Sequence, residues 1–194
     1  MSLRRAVFLD RDGVICENRP DYVKSLDEFV FVPGVLDALR RLAALPLAIV
    51  VASNQSAIGR GLVSRQTVDS INDHMLATVR AHGGRVDGVF ICPHTPADDC
   101  ICRKPRPGLL HSAARELNLD LAGSYVIGDA VSDVQAARAV GASPILVLTG
   151  RGKDQARQLA AEQGDDLYVA RNLEEAVIWI EQREREKREG VNKV

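Results

Sequence analysis

The sequence predicts an α/β fold: a doubly wound parallel sheet with helices on both faces. Three observations carry it. Short apolar runs alternate with helical segments along the whole chain, the order that builds a parallel sheet through right-handed crossovers. The runs are continuous rather than alternating, Leu47 to Ala52 being the clearest, as expected of strands covered on both faces. Acidic or small polar residues follow directly after the runs, at Asp10, Ser53-Asn54 and Asp129. Open sheets of this kind bind their ligands beyond the carboxyl ends of the strands.

Taken in order, Ala6 to Leu9 is the first strand, and Glu17 to Lys24 is a polar loop long enough to fold over its end. Pro33-Gly34 opens a helix that carries Val35, Leu36, Leu39 and Leu42 at helical spacing. Leu47 to Ala52 is the second strand, and Gly59-Arg60-Gly61 a basic turn. Ser64 caps a helix lined by Val68, Ile71, Met75 and Val79, which Gly83-Gly84 stops. Val86 to Ile91 is the third strand, followed by a cysteine-rich loop. Pro107-Gly108 begins a helix that runs to about Asn118. Tyr125 to Ile127 is the fourth strand and ends in Gly128-Asp129. An alanine-rich helix, Val131 to Val140, stops at Gly141. Ile145 to Leu148 is the fifth strand. A helix from Asp154 to Gln163, a short strand near Tyr168 and a helix from Leu173 finish the chain, and the charged run from about 183 to 194 is expected to be a tail formed by a solvated helix end that frays.

The 194 residues form one expected domain. A net charge of −1 argues against nucleic acid or a membrane surface as partner. No run is apolar enough to span a bilayer, and Met1 to Arg5 do not read as a signal peptide. The expectation is a cytoplasmic monomer acting on a small molecule. Three of the four cysteines fall between Cys92 and Cys102, which in such a chain argues for a metal rather than disulfides.

Side chains at i and i+2 of a strand point the same way, so Asp10 and Asp12 are aimed at one place. Two carboxylates held that close need a cation nearby. Mg²⁺ takes oxygen ligands, and Asp10 and Asp129 suit it. Asp10 can then attack phosphorus as a carboxylate nucleophile, with Asp12 as acid and then base. Lys104, Ser53 and the backbone around Asn54 can hold the oxygens that carry transition-state charge. Cys92, His94, Cys100 and Cys102 supply three thiolates and an imidazole, a donor set for a closed tetrahedral Zn²⁺ site. Asp133 either braces the active-site loop or caps the helix from Val131. Cys16, His74, His82, His111 and Trp179 are assigned no chemistry.

Asp10-Arg11-Asp12-Gly13, Ser53-Asn54-Gln55, Arg103-Lys104-Pro105 and Gly128-Asp129 resemble, in order, the four motifs of the haloacid dehalogenase superfamily of phosphatases. The match runs from about residue 6 to 150. It implies a central Asp10 strand, Asp10 as nucleophile, Asp12 as acid/base, and Mg²⁺ on Asp10, the Asp12 backbone carbonyl and Asp129. Core elements fill the gaps between motifs, so no large cap domain is expected. The cysteine loop at 92–102 and the tract Ser53 to Gly61 resemble the zinc-loop subgroup, whose members act on heptose bisphosphate or histidinol phosphate. The spacer from His94 to Cys100 is short for that subgroup, and Ala130 stands where its heptose enzymes often carry lysine. The expected substrate-binding set is Ser53, Asn54, Gln55, Ser56, Arg60, Arg103 and Lys104. Arg103 and Arg60 suit a second phosphate, so the expected reaction is hydrolysis of the 7-phosphate of D-glycero-D-manno-heptose 1,7-bisphosphate through an aspartyl phosphate. Histidinol phosphate, and a non-catalytic binding role, are the alternatives.

Overall fold

A computed structural model describes residues 3–159 and 166–191. Its strands are β1 (Arg4–Leu9), β2 (Ala48–Asn54), β3 (Gly88–Cys92), β4 (Leu119–Gly128), β5 (Ser143–Val147) and β6 (Tyr168–Ala170). The helices are α1 (Val35–Ala43), the single turn α2 (Ser56–Gly59), α3 (Arg65–Ala81), α4 (Gly108–Leu117), α5 (Val131–Ala139), α6 (Gly152–Leu159) and α7 (Leu173–Val191). The strands pair in parallel in the order β3-β2-β1-β4-β5-β6, so the Asp10 strand is central. This is the doubly wound sheet that the sequence predicts.

Alternation along β1 sorts the core into two layers. Val7 and Leu9 pack with Leu39 and Leu42 of α1, Ile71 and Met75 of α3, and Val177 and Ile180 of α7. Ala6 and Phe8 face the other way, onto Leu109 and Leu110 of α4 and Ala136 and Ala137 of α5. Both faces of the strand are therefore dry, which is why its sequence is apolar throughout.

Several boundaries differ from expectation for identifiable reasons. The third strand starts at Gly88 rather than Val86, because the Asp87 carboxylate accepts from the Ile49 amide at 2.7 Å. It also runs one residue further, so Cys92 is anchored at a strand end. The fourth strand begins at Leu119, with a shift in register against β1 between Arg5 and Val7. The expected end of α6 at Gln163 lies outside the described residues. The charged end of the last helix differs from expectation in solvation, not in being helical. Helix α7 continues to Val191, and Glu184 is buried, with 2% of its surface exposed. No described helix is long and apolar enough to cross a membrane.

Candidate active site

The parallel order sets the ends of β1, β2 and β4 side by side. Leu9 sits level with Val51 on one neighbour and Ile127 on the other. Asp10 follows, its amide donating to the Ile127 carbonyl at 2.9 Å, so the ladder holds the residue in place. Asp10 Oδ1 accepts from the Arg11 amide at 2.8 Å and lies 3.2 Å from Lys104 Nζ. Lys104 is almost fully buried. Its ammonium also meets Asp133 Oδ1 at 2.6 Å and donates to the Ala52 carbonyl at 2.7 Å. The ammonium thus lies within ion-pair distance of two carboxylates and donates one hydrogen bond, to the Ala52 carbonyl. Burial works against its charge, but Asp10 and Asp133 outweigh burial and hold the lysine pKa above its usual value.

Around this lysine three buried carboxylates crowd together. One oxygen from each of Asp10, Asp129 and Asp133 falls within 4.8 Å of the others. Burial pushes Asp129 up, with Asp10 adding to the rise and Arg151 opposing it. Burial likewise raises Asp133, to about 6, against the pull of Lys104. The negative charge in this cluster exceeds what one buried lysine neutralises, and the donors are all hard oxygens. The site therefore fits Mg²⁺. Glycine lets the loops close on Asp129. A Cβ on Gly13, whose φ is +88°, would lie 2.1 Å from Asp129 Oδ2, and one on Gly150 would lie 2.3 Å from the same oxygen.

Asp12 has a different environment. Its side chain is 22% exposed. Oδ2 accepts from Gln55 Nε2 at 2.6 Å and Oδ1 from Arg11 Nη2 at 3.2 Å. Arg11, between the two aspartates, points inward. It donates to Gln55 Oε1 at 2.9 Å and to Asn72 Oδ1 of α3 at 3.1 Å. The sequence motif includes Arg11, but nothing local shows that its guanidinium turns into the core and braces Asp12.

Asp10, Asp12, Asn54, Gln55, Ser56, Arg103 and Lys104 line one cavity of about 470 Å³. Ser53 and Arg60, also expected to bind substrate, are not on that lining. Ser53 accepts from Gln55 at 3.0 Å beneath the surface. Asn54 grips the backbone of residue 104 from both sides, donating to its carbonyl at 3.0 Å and accepting from its amide at 3.1 Å. Arg60 stands near Tyr22 instead. Tyr22 comes from the loop expected to fold over the strand end, and that loop does reach the cavity through Asn18, Arg19 and Tyr22. A hydrogen bond with Ser56 and the charges of Arg60 and Arg103 hold the Tyr22 phenol below its usual pKa.

Two further residues complete the strand-end edge. Asp133 performs both of the roles left open: Oδ2 accepts from the Ala130 amide at 3.1 Å, capping α5, while Oδ1 meets Lys104. A Cβ on Gly128 would fall 2.2 Å from that carboxylate, so the glycine admits it. Arg151, which the sequence did not single out, donates its amide to Asp129 Oδ2 at 2.8 Å and its Nη2 to Oδ1 at 3.1 Å. Only its place after β5 hints at this.

The cysteine loop forms a second cluster beside the first. Cys92, His94, Cys100 and Cys102 converge, with separations of 3.1 Å (Cys102–Cys92), 3.4 Å (Cys102–Cys100), 3.6 Å (Cys92–Cys100) and 3.2 Å (His94 Nδ1–Cys102). These are close to the edges of a tetrahedron around an ion with bonds of roughly 2.0–2.3 Å. Close packing fixes the loop, since a Cβ on Gly108 would meet the Ile101 carbonyl at 2.3 Å. The loop carries Arg103, which donates to the His94 carbonyl at 3.2 Å, to the rim of the cavity.

Comparison with known proteins agrees with this geometry. A family model described as HAD-hydrolase-like matches residues 101–176. A D-glycero-beta-D-manno-heptose-1,7-bisphosphate 7-phosphatase of Bordetella bronchiseptica is 42% identical over 160 residues, covering 82% of this chain and 89% of that protein. One of Neisseria meningitidis serogroup A is 42% identical over 165 residues, covering 85% and 88%. A crystal structure of the D,D-heptose 1,7-bisphosphate phosphatase from B. bronchiseptica, complexed with magnesium and phosphate, superposes with a TM-score of 0.87 at 38% identity, over 92% of this chain and 99% of that one. The chain belongs to the haloacid dehalogenase-like family of phosphoric monoester hydrolases.

Proposed function

We propose that the protein hydrolyses the 7-phosphate of D-glycero-D-manno-heptose 1,7-bisphosphate through an aspartyl phosphate. The observation that carries this is the placement of Asp10 at the floor of a cavity between buried Lys104 and the Asp129–Asp133 pair, with Arg103 on the rim. The names of the relatives support the substrate.

Asp10 Oδ1 is engaged by the Arg11 amide and Lys104, so Oδ2 is the oxygen that attacks phosphorus. The P–O bond to the sugar breaks, and Asp12 gives its proton to the departing oxygen. Asp12, now a carboxylate, takes a proton from water, which attacks the aspartyl phosphate and frees inorganic phosphate and Asp10. Gln55 and Arg11 keep the Asp12 carboxylate aimed at this place in both steps. The Lys104 ammonium offsets charge on the equatorial oxygens. Asp10, the Asp12 backbone carbonyl and Asp129 are the groups that would hold Mg²⁺, which when bound supplies further charge neutralisation at the transferred phosphoryl group. Zn²⁺ on Cys92, His94, Cys100 and Cys102 would leave no open position for water, so its role is to fix Arg103 and Lys104.

The cavity holds a sugar bisphosphate with the reacting phosphate on Lys104 and the distal one toward Arg103, whose fork suits phosphate oxygens. The near-neutral charge supports a small-molecule substrate rather than nucleic acid. The deciding measurement is kcat/KM for the heptose bisphosphate against histidinol phosphate, with Arg103→Ala alongside. The expected result is a preference for the bisphosphate, and a KM for it that rises about tenfold or more in the variant while a small monophosphate ester is little affected. A preference for histidinol phosphate overturns the substrate, and no phosphatase activity at all overturns the function.

A further inference from the structure

We propose that Arg151 is an exchangeable counter-ion: its guanidinium covers Asp129 while no divalent cation is bound, then yields that carboxylate to the cation and turns to the substrate's phosphate. The inference rests on the reading of the site as a Mg²⁺-dependent phosphatase.

The two halves of the pair differ in freedom. Asp129 is fully buried and cannot follow a moving partner, whereas the Arg151 side chain is 52% exposed. The backbone of residue 151 is held separately, by its own amide on Asp129 Oδ2 at 2.8 Å. The side chain can therefore leave without the loop leaving. Its present contacts are one good hydrogen bond, Nη2 to Oδ1 at 3.1 Å, and one long one, Nε to Oδ2 at 3.4 Å.

Those contacts conflict with a bound cation. Asp129 belongs to the carboxylate cluster that fits a hard divalent ion, and such an ion binds a carboxylate oxygen at about 2.0–2.1 Å. A guanidinium on the same carboxylate would then face a dication a few ångströms away in a partly buried site, where repulsion is weakly screened. The mobile partner is the one that gives way. It has somewhere to go, because Arg151 already lines the cavity together with Asp10, Lys104 and Asn54. A phosphate bound there offers it a new anion. Cation and phosphate would thus each favour the other's binding through one side chain, in addition to their direct attraction.

The signs of this scheme are opposite to those of a residue that merely supports the fold. Removing the guanidinium raises the free energy of the cation-free site but leaves the cation-loaded one little changed. Arg151→Gln should therefore bind Mg²⁺ more tightly than the wild type in the absence of phosphate, by roughly three- to tenfold, the scale of one half-exposed charged pair. With Mg²⁺ saturating, the same variant should bind inorganic phosphate more weakly by a similar factor. Arg151→Lys should fall between the two in both measurements.

Titration calorimetry of purified wild type and both variants reads all of these, with Mg²⁺ and inorganic phosphate as the probes. Tighter Mg²⁺ with weaker phosphate supports the proposal. Mg²⁺ binding that is unchanged or weaker in Arg151→Gln overturns it, as does phosphate binding that does not change. If Arg151→Gln fails to fold, Arg151→Lys carries the same signs and decides. A wild type that binds no Mg²⁺ overturns the functional reading and this inference with it; a wild type that binds Mg²⁺ beside a variant with the wrong sign overturns this inference alone.

Discussion

Two buried ion clusters sit at opposite edges of one sheet, and they are balanced in opposite ways. At the carboxyl edge, Asp10, Asp129 and Asp133 surround a single buried lysine, with a half-exposed arginine as the other cation. At the amino edge, one buried carboxylate is surrounded by donors. Glu184 accepts from Arg5 at 2.8 and 2.5 Å and from the Tyr125 hydroxyl at 2.7 Å, with Lys187 at 3.4 Å. Burial opposes both sets of acids. Arg5 and Tyr125 overcome it and leave Glu184 below its usual pKa, whereas Lys104 does not prevent Asp133 from being raised to about 6. The first cluster has a charge deficit that a cation and a phosphoryl transfer can use. The second has none, and it ties the last helix to the first strand.

The sharpest way to break the comparison is to neutralise one acid at each edge. If Asp10 is the nucleophile, Asp10→Asn should abolish phosphate release, even with Mg²⁺ saturating, while the folded state persists. Asp12→Asn should lower kcat by roughly 100-fold or more, the scale of a lost acid/base group. Steady-state assays with thermal melts on the same samples check both. Wild-type turnover by Asp10→Asn would show that the carboxyl edge is not catalytic as described.

The reverse pattern is expected at the amino edge. Glu184→Ala should lower stability by about 2–4 kcal/mol. That lies toward the lower end for a broken buried ion pair, because Arg5 and Lys187 are 30% and 49% exposed and can turn to water. Activity per folded molecule should be unchanged. Denaturant unfolding and active-site titration separate the two quantities, and a large loss of kcat with stability intact would erase the distinction between the edges.

The same contrast explains what the sequence makes legible. The strand-end acids sit in short local patterns, a strand followed by Asp10 and Asp12 or by Gly128-Asp129, and alternation alone aims them at one edge. The cluster of Cys92, His94, Cys100 and Cys102 is legible because its spacing is local too. The partners are not. Arg5 and Glu184 are 179 residues apart, and Arg11 reaches Asn72 across 61. Arg151 reaches back 22 residues to Asp129 from a different strand end. Such pairings follow only once the sheet order is fixed. Glu184 therefore reads in sequence as one more charge on a solvated helix end, and nothing local pairs Arg60, just past the short helix α2, with Tyr22. Asp133 is the intermediate case: its cap on α5 is a local pattern, but its ion pair with Lys104 is not.

The smallest effect expected is also the most discriminating, because the two clusters should drive stability in opposite directions with pH. The folded-state pKa of Glu184 lies below its unfolded value of 4.5. Its contribution is thus fully present above pH 4.5 and is lost as pH falls through the lower, folded value. Asp133 is raised from 3.8 to about 6. The folded protein holds that proton more tightly than the unfolded chain does, so its contribution is full below pH 3.8 and is lost as pH rises through 6. Urea unfolding of Mg²⁺-free protein from pH 3 to 7 should therefore show Glu184→Gln losing part of the acid-side fall in stability. Asp133→Asn should differ in slope between pH 4 and 6, gaining on the wild type as pH rises, by on the order of 1–2 kcal/mol across the window and whatever its constant offset. Saturating Mg²⁺ should erase most of the second difference and leave the first, since a cation among Asp10, Asp129 and Asp133 favours their ionised forms while Glu184 lies at the far edge. Equal slopes for Asp133→Asn and wild type in the Mg²⁺-free protein would mean that the carboxyl edge is as well balanced as the amino edge, and the comparison would fail at its root.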